Sequence, residues 1–176
     1  MKISEELDKI LCYAREEAVR TGCYAISPDH LFLGILRHSP DTASRILEGL
    51  SADLDSIKND IDELILSDES VPYEQSGQLQ FDTDSMSILN MTIFEALTLG
   101  SRDIGSLHLL LALSKYNDNN YYKFFLDRLD IDSGAILAYC KDHRMLEETA
   151  PDKDKKNEEK LRILGTISIK VPEIYS

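Results

Sequence analysis

One stretch of this chain occurs twice, and this repetition limits the folds that the chain can adopt more than any other feature. Residues 26–36 read ISPDHLFLGIL and residues 104–113 read IGSLHLLLAL, so His30 and His108 lie 108 − 30 = 78 positions apart. The same displacement gives seven identical pairs among the twenty that match residues 17–36 to residues 95–114, where chance gives about one. We therefore predict a tandem duplication of one structural unit.

The composition indicates a soluble globular protein with an acidic surface. The 176 residues carry a formal net charge of −13, and 43% of them are hydrophobic, which fits one compact, internally doubled domain. An acidic surface repels the phosphates of nucleic acid, so we expect no nucleic-acid partner. The charge favours cationic protein surfaces as partners, although it can also serve solubility alone.

The N-terminal residues, the lengths of the apolar runs and the spacing of the cysteines together predict a cytoplasmic chain with reduced thiols. The acids that closely follow Met1 argue against a secretory leader, and no apolar run is long enough to cross a membrane. Cys12, Cys23 and Cys140 show no Cys-x-x-Cys spacing, so we expect neither a disulfide framework nor a zinc site.

Apolar residues spaced by three and four positions predict four helices in each copy. In the first copy, Ser4 caps a helix that ends near Gly22, and Ser27 caps a second helix that runs to about His38. A short third helix is expected over 42–50, and a fourth over 53–65. The predicted apolar stripe of the fourth helix consists of Leu54, Ile57, Ile61, Leu64 and Ile65.

The second copy repeats this pattern. Asp82 caps its first helix, Ser106 is expected to cap the counterpart of the second, and further helices are predicted over 121–129 and 132–145. Leu129 follows Leu50 by 129 − 50 = 79 positions, which indicates one inserted residue. The predicted fold class is all-α, a pseudo-twofold tandem repeat of two four-helix units with eight helices in total.

Changes in composition give the predicted boundaries. A double-repeat domain occupies 1–149, with the first repeat at about 3–66, a polar linker at 67–80 and the second repeat at about 81–146. Residues 150–176 have mixed charge, and we expect them to form a mobile tail or linker. Within them, residues 167–171 alternate like an edge strand, but a single strand has no pairing partner.

No stretch of the sequence supplies a recognisable catalytic site. His30 and His108 lack a second ligand or base at matching spacing, so we expect core or capping histidines that hold helix starts by hydrogen bonds. Burial and hydrogen bonds to the backbone would exclude an enzymatic role for them. Residues 100–106 carry two glycines at the spacing of a phosphate-binding loop, but serine replaces its lysine and a helix precedes it. We therefore expect that this chain is not an enzyme and does not hydrolyse ATP.

The duplicated stretches also indicate a family. The residues concerned are 16–18, 22, 26, 29–37 and 45–48 in the first copy and 95–96, 100 and 105–113 in the second. They resemble the tandem repeats of the Clp N-terminal domain, which precedes the ATPase rings of Clp-type AAA+ unfoldases. The resemblance implies an all-helical, pseudo-twofold domain that docks protein substrates or adaptor proteins and passes them to the unfoldase ring, which feeds a peptidase.

The resemblance also implies a site at the helix start that carries the signature acid. In some family members this start recognises phosphorylated arginine, because a helix N-terminus attracts phosphate and a carboxylate accepts the guanidinium. Asp29 matches the acid in the first copy, whereas Leu107, next to Ser106, stands in its place in the second. Pro28 has no N–H to offer a phosphate, so both copies depart from the pattern and argue against binding of the tag.

Other family members dock peptides or small molecules on apolar positions at the N-terminus, the first helix and the end of the linker. Ile3, Leu11 and Phe81 match these positions, although Phe81 can equally pack between the two copies, which its exposure decides. The candidate partner-binding residues are therefore Ile3, Leu11, Asp29, Phe81, Ser106 and Leu107.

These expectations lead to one function and one alternative. We expect a non-catalytic substrate- and adaptor-binding N-terminal module of a Clp-type AAA+ chaperone or unfoldase that acts in ATP-dependent protein degradation. This chain would need no cofactor, because ATP and magnesium would bind elsewhere in the parent protein, and the isolated domain is expected to be a monomer. The alternative is a free-standing accessory protein that regulates a Clp protease. A reading frame that continues past Ser176 into a Gly-x-x-x-x-Gly-Lys-Thr motif would eliminate the alternative.

Overall fold

The computed structural model describes residues 1–117 and 119–146, and α-helices form most of this part of the chain. The first copy contains α1 (Glu5–Arg20), α2 (Pro28–Arg37), α3 (Thr42–Gly49) and α4 (Leu54–Ile65). The second copy contains α5 (Thr83–Thr98), α6 (Ser106–Lys115), α7 (Tyr121–Arg128) and α8 (Ser133–Asp142). The prediction of an all-α fold with four helices in each copy is confirmed.

The segments outside these helices differ in how far the structure describes them. The linker contains a 3-10 helix over Tyr73–Gln78, so it is more regular than its polar composition predicts. The predicted tail over 150–176, with its alternating stretch at 167–171, lies outside the described residues. Across 1–117 and 119–146, none of the helices has both the length and the apolar character needed to span a lipid bilayer.

Four strands of two residues join the copies in a twofold arrangement. They are β1 (Lys2–Ile3), β2 (Ala25–Ile26), β3 (Gln80–Phe81) and β4 (Asp103–Ile104). β1 pairs in parallel with β4, with Ile3 opposite Ile104, and β2 pairs in parallel with β3, with Ile26 opposite Phe81. Since 3 + 78 = 81 and 104 − 78 = 26, the displacement found in the sequence converts one pair into the other. The two copies are therefore related in space as they are in sequence.

One hydrophobic core runs through both copies. α2 packs against α1 in its own copy and against α5, α6 and α7 of the other, while α3 contacts α8 and α4 contacts α7. The rings of Phe32 and Tyr122 stack with their centroids 5.6 Å apart and join α2 to α7. Because these apolar contacts cross between the copies, the copies are halves of one domain rather than two separate domains.

Three details of the helices differ from the prediction. The N-cap of α6 is Gly105 rather than Ser106, because Gly105 is the counterpart of Ser27 (105 − 78 = 27). Leu64 belongs to the predicted apolar stripe of α4, but its side chain is 50% exposed, so the described part of the core does not extend over the last turn of this helix. α8 ends at Asp142, since Arg144 has a φ of 54° and leaves the helical conformation.

Gly34 allows α1 and α2 to approach each other closely. A Cβ atom at this position would lie 2.6 Å from the carbonyl oxygen of Ile10 and 3.1 Å from the backbone nitrogen of Ala14. We predict that Gly34→Ala forces the helices apart and lowers the free energy of unfolding by about 1–3 kcal/mol, measured by urea unfolding. Gly77→Ala is the matched control because no atom lies within 4 Å of the added Cβ. Equal effects of the two substitutions would contradict this account of the helix contact.

Candidate functional site

The two repeated histidines form matching hydrogen bonds at the starts of α2 and α6. The backbone N–H of Ser27 donates to Nδ1 of His30 at 3.0 Å, and the backbone N–H of Gly105 donates to Nδ1 of His108 at 2.8 Å. Each ring thus satisfies an N–H group that the start of a helix leaves without a partner. The prediction that these histidines hold helix starts is confirmed.

The remaining ring nitrogens are also engaged. Because Nδ1 accepts a hydrogen bond, Nε2 carries the proton. Nε2 of His30 lies 2.9 Å from the hydroxyl oxygen of Thr21, and Nε2 of His108 lies 2.9 Å from the hydroxyl oxygen of Ser101. Burial lowers the pKa of both imidazoles to about 4, with a smaller effect of the Arg20 charge on His30, so both are neutral at pH 7. Both residues are buried and hydrogen-bonded to the backbone, which argues against an enzymatic role for them.

Asp29 caps a helix of the other copy. Its carboxylate accepts hydrogen bonds from the backbone N–H of Tyr122 at 2.7 Å and of Tyr121 at 3.2 Å, the first two residues of α7. These bonds satisfy helix-start N–H groups inside the domain, and the side chain is buried. The carboxylate that the resemblance connects with phosphorylated arginine therefore connects the two copies.

The start of α3, which corresponds to the start of α7, is capped by side chains from both copies. The hydroxyl of Ser106 accepts from the backbone N–H of Ala43 at 3.1 Å and donates to the carboxylate of Glu6. This carboxylate also accepts from the backbone N–H of Thr42 at 3.3 Å. Leu107 offers no carboxylate here, so Glu6 of α1 supplies the negative charge at this helix start.

Asp41 caps the same helix from within the first copy. Its carboxylate accepts from the backbone N–H of Ser44 at 2.8 Å, and its other oxygen lies 3.7 Å from Nδ1 of His38. Burial raises the pKa of Asp41 to about 6, with a further contribution from the charge of Glu6, against opposing hydrogen bonds from Ser44. Two carboxylates therefore lie close to the start of α3.

A cavity of about 260 Å³ opens beside the starts of α3 and α6. Glu6 and Asp103 supply its acidic groups, and the described residues that line it include no lysine or arginine beside the neutral ring of His108. The apolar part of its lining consists of Leu107, Met145 and Leu146. The cavity is therefore suited to a cationic or hydrogen-bond-donating group with an apolar stem.

The predicted partner-binding residues are divided between this cavity and the core. Ser106 and Leu107 line the cavity, and Ile3 is partly exposed in β1. Leu11 is fully buried among the core side chains, so it could not contact a partner in this conformation. Phe81 is only 7% exposed, which decides in favour of packing between the copies.

Sequence analysis missed Glu6, Thr42 and Asp103, which line the same cavity. Glu6 is visible in the sequence only as a first-turn acid of the kind that helix N-termini favour. Its contact with Ser106 spans 106 − 6 = 100 positions, and no local pattern reports such a distance. The sequence offers one signal for Glu6. Leu107 replaces the acid that caps a helix in the other copy, so the N–H groups at the start of α3 need an acceptor from another residue.

Asp29→Ala tests the capping between copies. We predict that it lowers the free energy of unfolding by about 2 kcal/mol, because the buried N–H of Tyr122 and the partly buried N–H of Tyr121 lose their charged acceptor. Asp29→Asn keeps an oxygen acceptor, so it should lower the free energy of unfolding by less than half as much as Asp29→Ala. Asp132→Ala is the control, since it removes a cap of α8 that is exposed and local. If Asp29→Ala cost no more than Asp132→Ala in urea unfolding, Asp29 would not stabilise the contact between the copies.

Acid should destabilise the domain through His30 and His108. Each folded-state pKa of about 4 lies below the ordinary value of 6.5, so the contribution to stability is complete above pH 6.5 and is lost as the pH falls toward 4. From pH 7.5 to pH 5, each histidine should reduce the free energy of unfolding by roughly 2 kcal/mol. Asp41, with a raised pKa of about 6, should offset this by about 1 kcal/mol, because its protonation favours the folded state.

Urea unfolding of His108→Gln at pH 7.5 and pH 5 isolates one of these contributions. The glutamine amide oxygen can accept from the N–H of Gly105, but the amide does not titrate. Acidification from pH 7.5 to pH 5 should therefore lower the free energy of unfolding of this variant by about 2 kcal/mol less than that of the unmodified chain. His143→Gln, at an exposed position, is the control and should follow the unmodified chain. The same acid dependence in both variants would contradict the assignment to His108.

Comparisons with known proteins agree with the duplicated fold. The family described as the Clp repeat (R) N-terminal domain matches residues 2–127. The ATP-dependent Clp protease ATP-binding subunit ClpC of Staphylococcus saprophyticus is 25% identical over 131 residues, and that of Staphylococcus aureus is 24% identical. Each alignment covers 74% of this chain and 15% of the relative, so the chain spans about 15% of the length of these curated relatives.

Solved structures show the same fold at low sequence identity. The N-terminal domain of ClpD from Arabidopsis thaliana has a TM-score of 0.62 and 17% identity, over 79% of this chain and 94% of that one. The Hsp104 N-terminal domain from Candida albicans has a TM-score of 0.63 and 12% identity, over 82% of this chain and 92% of that one. The family match over most of the chain and the paired helical repeats show that this chain belongs to the Clp repeat N-terminal domain family.

Proposed function

We propose that this chain is a non-catalytic binding module of a Clp-type unfoldase, which docks protein substrates or adaptors for an ATPase ring in the parent protein. The observation that carries this proposal is the extent of the match, since 74% of this chain aligns with only 15% of each ClpC subunit. We accordingly assign ATP and magnesium to the parent protein and no cofactor to this chain. A peptidase as the next partner and the cytoplasm as the location belong to the same proposal.

The cavity beside α6 is the docking point that we propose. Glu6 and Asp103 make it acidic, and the net charge of −13 attracts cationic protein segments over a longer range. A lysine or arginine of the partner would place its charged head near these acids and its apolar stem against Leu107. Ser106 would act indirectly, because its hydroxyl already binds Glu6 and the N–H of Ala43.

Recognition of phosphorylated arginine is not part of this proposal. Asp29 binds the start of α7, Pro28 has no N–H, and Leu107 has no charge. In the cavity, a phosphate would also be repelled by Glu6 and Asp103. A calorimetric titration with phosphoarginine is therefore the natural negative control for the experiment below.

Titration with fluorescently labelled, reduced and carboxamidomethylated lysozyme, a cationic unfolded polypeptide, tests docking at the cavity. We predict saturable binding in fluorescence anisotropy, and a rise in Kd of about three- to tenfold in Asp103→Asn, because one charge at the cavity is lost. Asp130→Asn removes an exposed acid outside the cavity and should change Kd by less than about twofold. Absent binding, or equal effects of both substitutions, would contradict docking at this cavity.

The gene that encodes the chain distinguishes the module from a free-standing regulator of a Clp protease. A reading frame that continues past Ser176 into an ATPase ring supports the module, and one that stops there supports the regulator. If such a ring is present, deletion of residues 1–146 should slow degradation of substrates that need this domain, and unchanged degradation would contradict the proposed function.

A further inference from the structure

A group of exposed apolar side chains lies at the end of α4 and on the segments beside it. We define this α4 surface by Tyr24, Leu64, Leu66 and Tyr73, which are 50%, 50%, 61% and 74% exposed. Large apolar side chains exposed together are uncommon on a monomer unless they serve an interaction. The α4 surface is distinct from the cavity beside α6, because the two share no residue.

Hydrogen bonds hold the segment after α4 against the loop after α1. The N–H of Ser67 donates to the carbonyl of Thr21 at 2.9 Å, and the Tyr24 hydroxyl donates to the carbonyl of Ser70 at 3.2 Å. Gly22, with a φ of 75°, allows this approach, since a Cβ there would lie 2.1 Å from the carbonyl oxygen of Glu69. The α4 surface is thus attached to the body of the domain at several points.

The apolar stripe of α4 continues beyond the part that the core covers. Ile57 and Ile61 are buried, and Leu64 follows Ile57 by seven residues, which places it within about 20° of the same helix face. Half of Leu64 is nevertheless exposed, and Leu66, the C-cap residue, is more exposed still. An apolar helix face that points into the core at one end therefore lies open at the other.

The surroundings of this face are strongly acidic. Residues 53–69 contain seven acids and one base, Lys58, which lies 4.0 Å from Asp62. Arg20, the nearby base on α1, is also engaged, with Asp62 at 2.6 Å and with Glu17. Six acids of the segment are exposed and form no ion pair within the described part of the chain: Asp53, Asp55, Asp60, Glu63, Asp68 and Glu69.

We propose that the α4 surface docks a cationic amphipathic segment of a protein partner, with its apolar side on Leu64 and Leu66 and its lysines or arginines near Glu63 and Glu69. This inference rests on the proposed function, because it specifies the chemistry of one partner of the module. Charge complementarity selects this occupant. A second copy of the chain would bring the same acids to the contact, and a nucleic acid or an anionic membrane would bring phosphates.

A synthetic helical peptide provides the probe. It has ~18 residues of leucine and lysine, with leucine recurring every three or four positions, and a matched peptide carries serine in place of leucine. Isothermal titration of the full chain should show binding of the leucine–lysine peptide, and the serine–lysine peptide should bind at least about tenfold more weakly. Equal affinity for the two peptides would show attraction by net charge alone and would overturn the proposal.

Variants locate the binding. Leu64→Ser with Leu66→Ser should raise Kd at least about tenfold, while Met86→Ser with Phe94→Ser, which removes comparably exposed apolar side chains from α5, should change it by less than about twofold. Both double variants alter exposed side chains, so circular dichroism should show unchanged helix content. Equal weakening by the two double variants would overturn the proposal.

A second pair of variants tests the charge. Glu63→Gln with Glu69→Gln should raise Kd about fivefold at low salt and less at high salt, because the acids attract the peptide through screened charge. Asp130→Asn with Asp142→Asn removes the same charge from exposed positions outside the α4 surface and should change Kd by less than about twofold. A dimer in sedimentation that is lost in the Leu64 and Leu66 variant would identify a second copy as the occupant and would overturn the proposal.

The inference and the proposed function can fail separately. If the Leu64 and Leu66 variant binds the peptide normally while Asp103→Asn still weakens binding of unfolded lysozyme, the α4 surface is not the docking site and the proposed function stands. If the peptide depends on Leu64 and Leu66 but deletion of the domain from its parent leaves degradation unchanged, the docking surface stands and the proposed function is wrong.

Discussion

The fold depends on capping hydrogen bonds that cross between the two copies. Asp29 of the first copy gives its carboxylate to the start of α7, and Ser106 of the second copy gives its hydroxyl to the start of α3, where Glu6 adds a carboxylate from within the first copy. A buried N–H group without an acceptor costs roughly 1–3 kcal/mol, so the N–H groups of Tyr122 and Ala43 are satisfied only when the other copy is docked. This constraint explains why the duplication produces one domain with a shared core.

The same bonds determine which signature residues remain available for a partner. The acid and both histidines of the repeated signature are engaged in helix starts, and their side chains are buried. The groups that remain exposed lie at the edge of the signature, such as Asp103 at the cavity, and on surfaces outside it. A residue can carry the family pattern and still serve the fold alone, which is how we interpret Asp29.

The sequence predicts the fold well because the relevant signals are local or periodic. The displacement of 78 positions also relates the two strand pairs to each other, although the strands themselves are not predicted from the sequence, and the caps at Ser4, Ser27 and Asp82 begin α1, α2 and α5 as expected. The site is predicted poorly because its contacts are distant in sequence, as with Glu6 and Ser106. Burial of Leu11 follows from the packing of α1 against α2, and periodicity cannot distinguish a core position from a docking position on such a helix.

The ends of α4 and α8 show how the copies have diverged while keeping the common frame. With the displacement of 79 that relates Leu50 to Leu129, Leu66 corresponds to Met145 (66 + 79 = 145). Met145 lines the cavity beside α6, whereas Leu66 is left largely exposed. The same repeat position therefore lines a cavity in the second copy and forms exposed apolar surface in the first. Because the capping bonds between the copies involve neither residue, these two ends can differ without disturbing the twofold core, and the two surfaces can acquire separate partners.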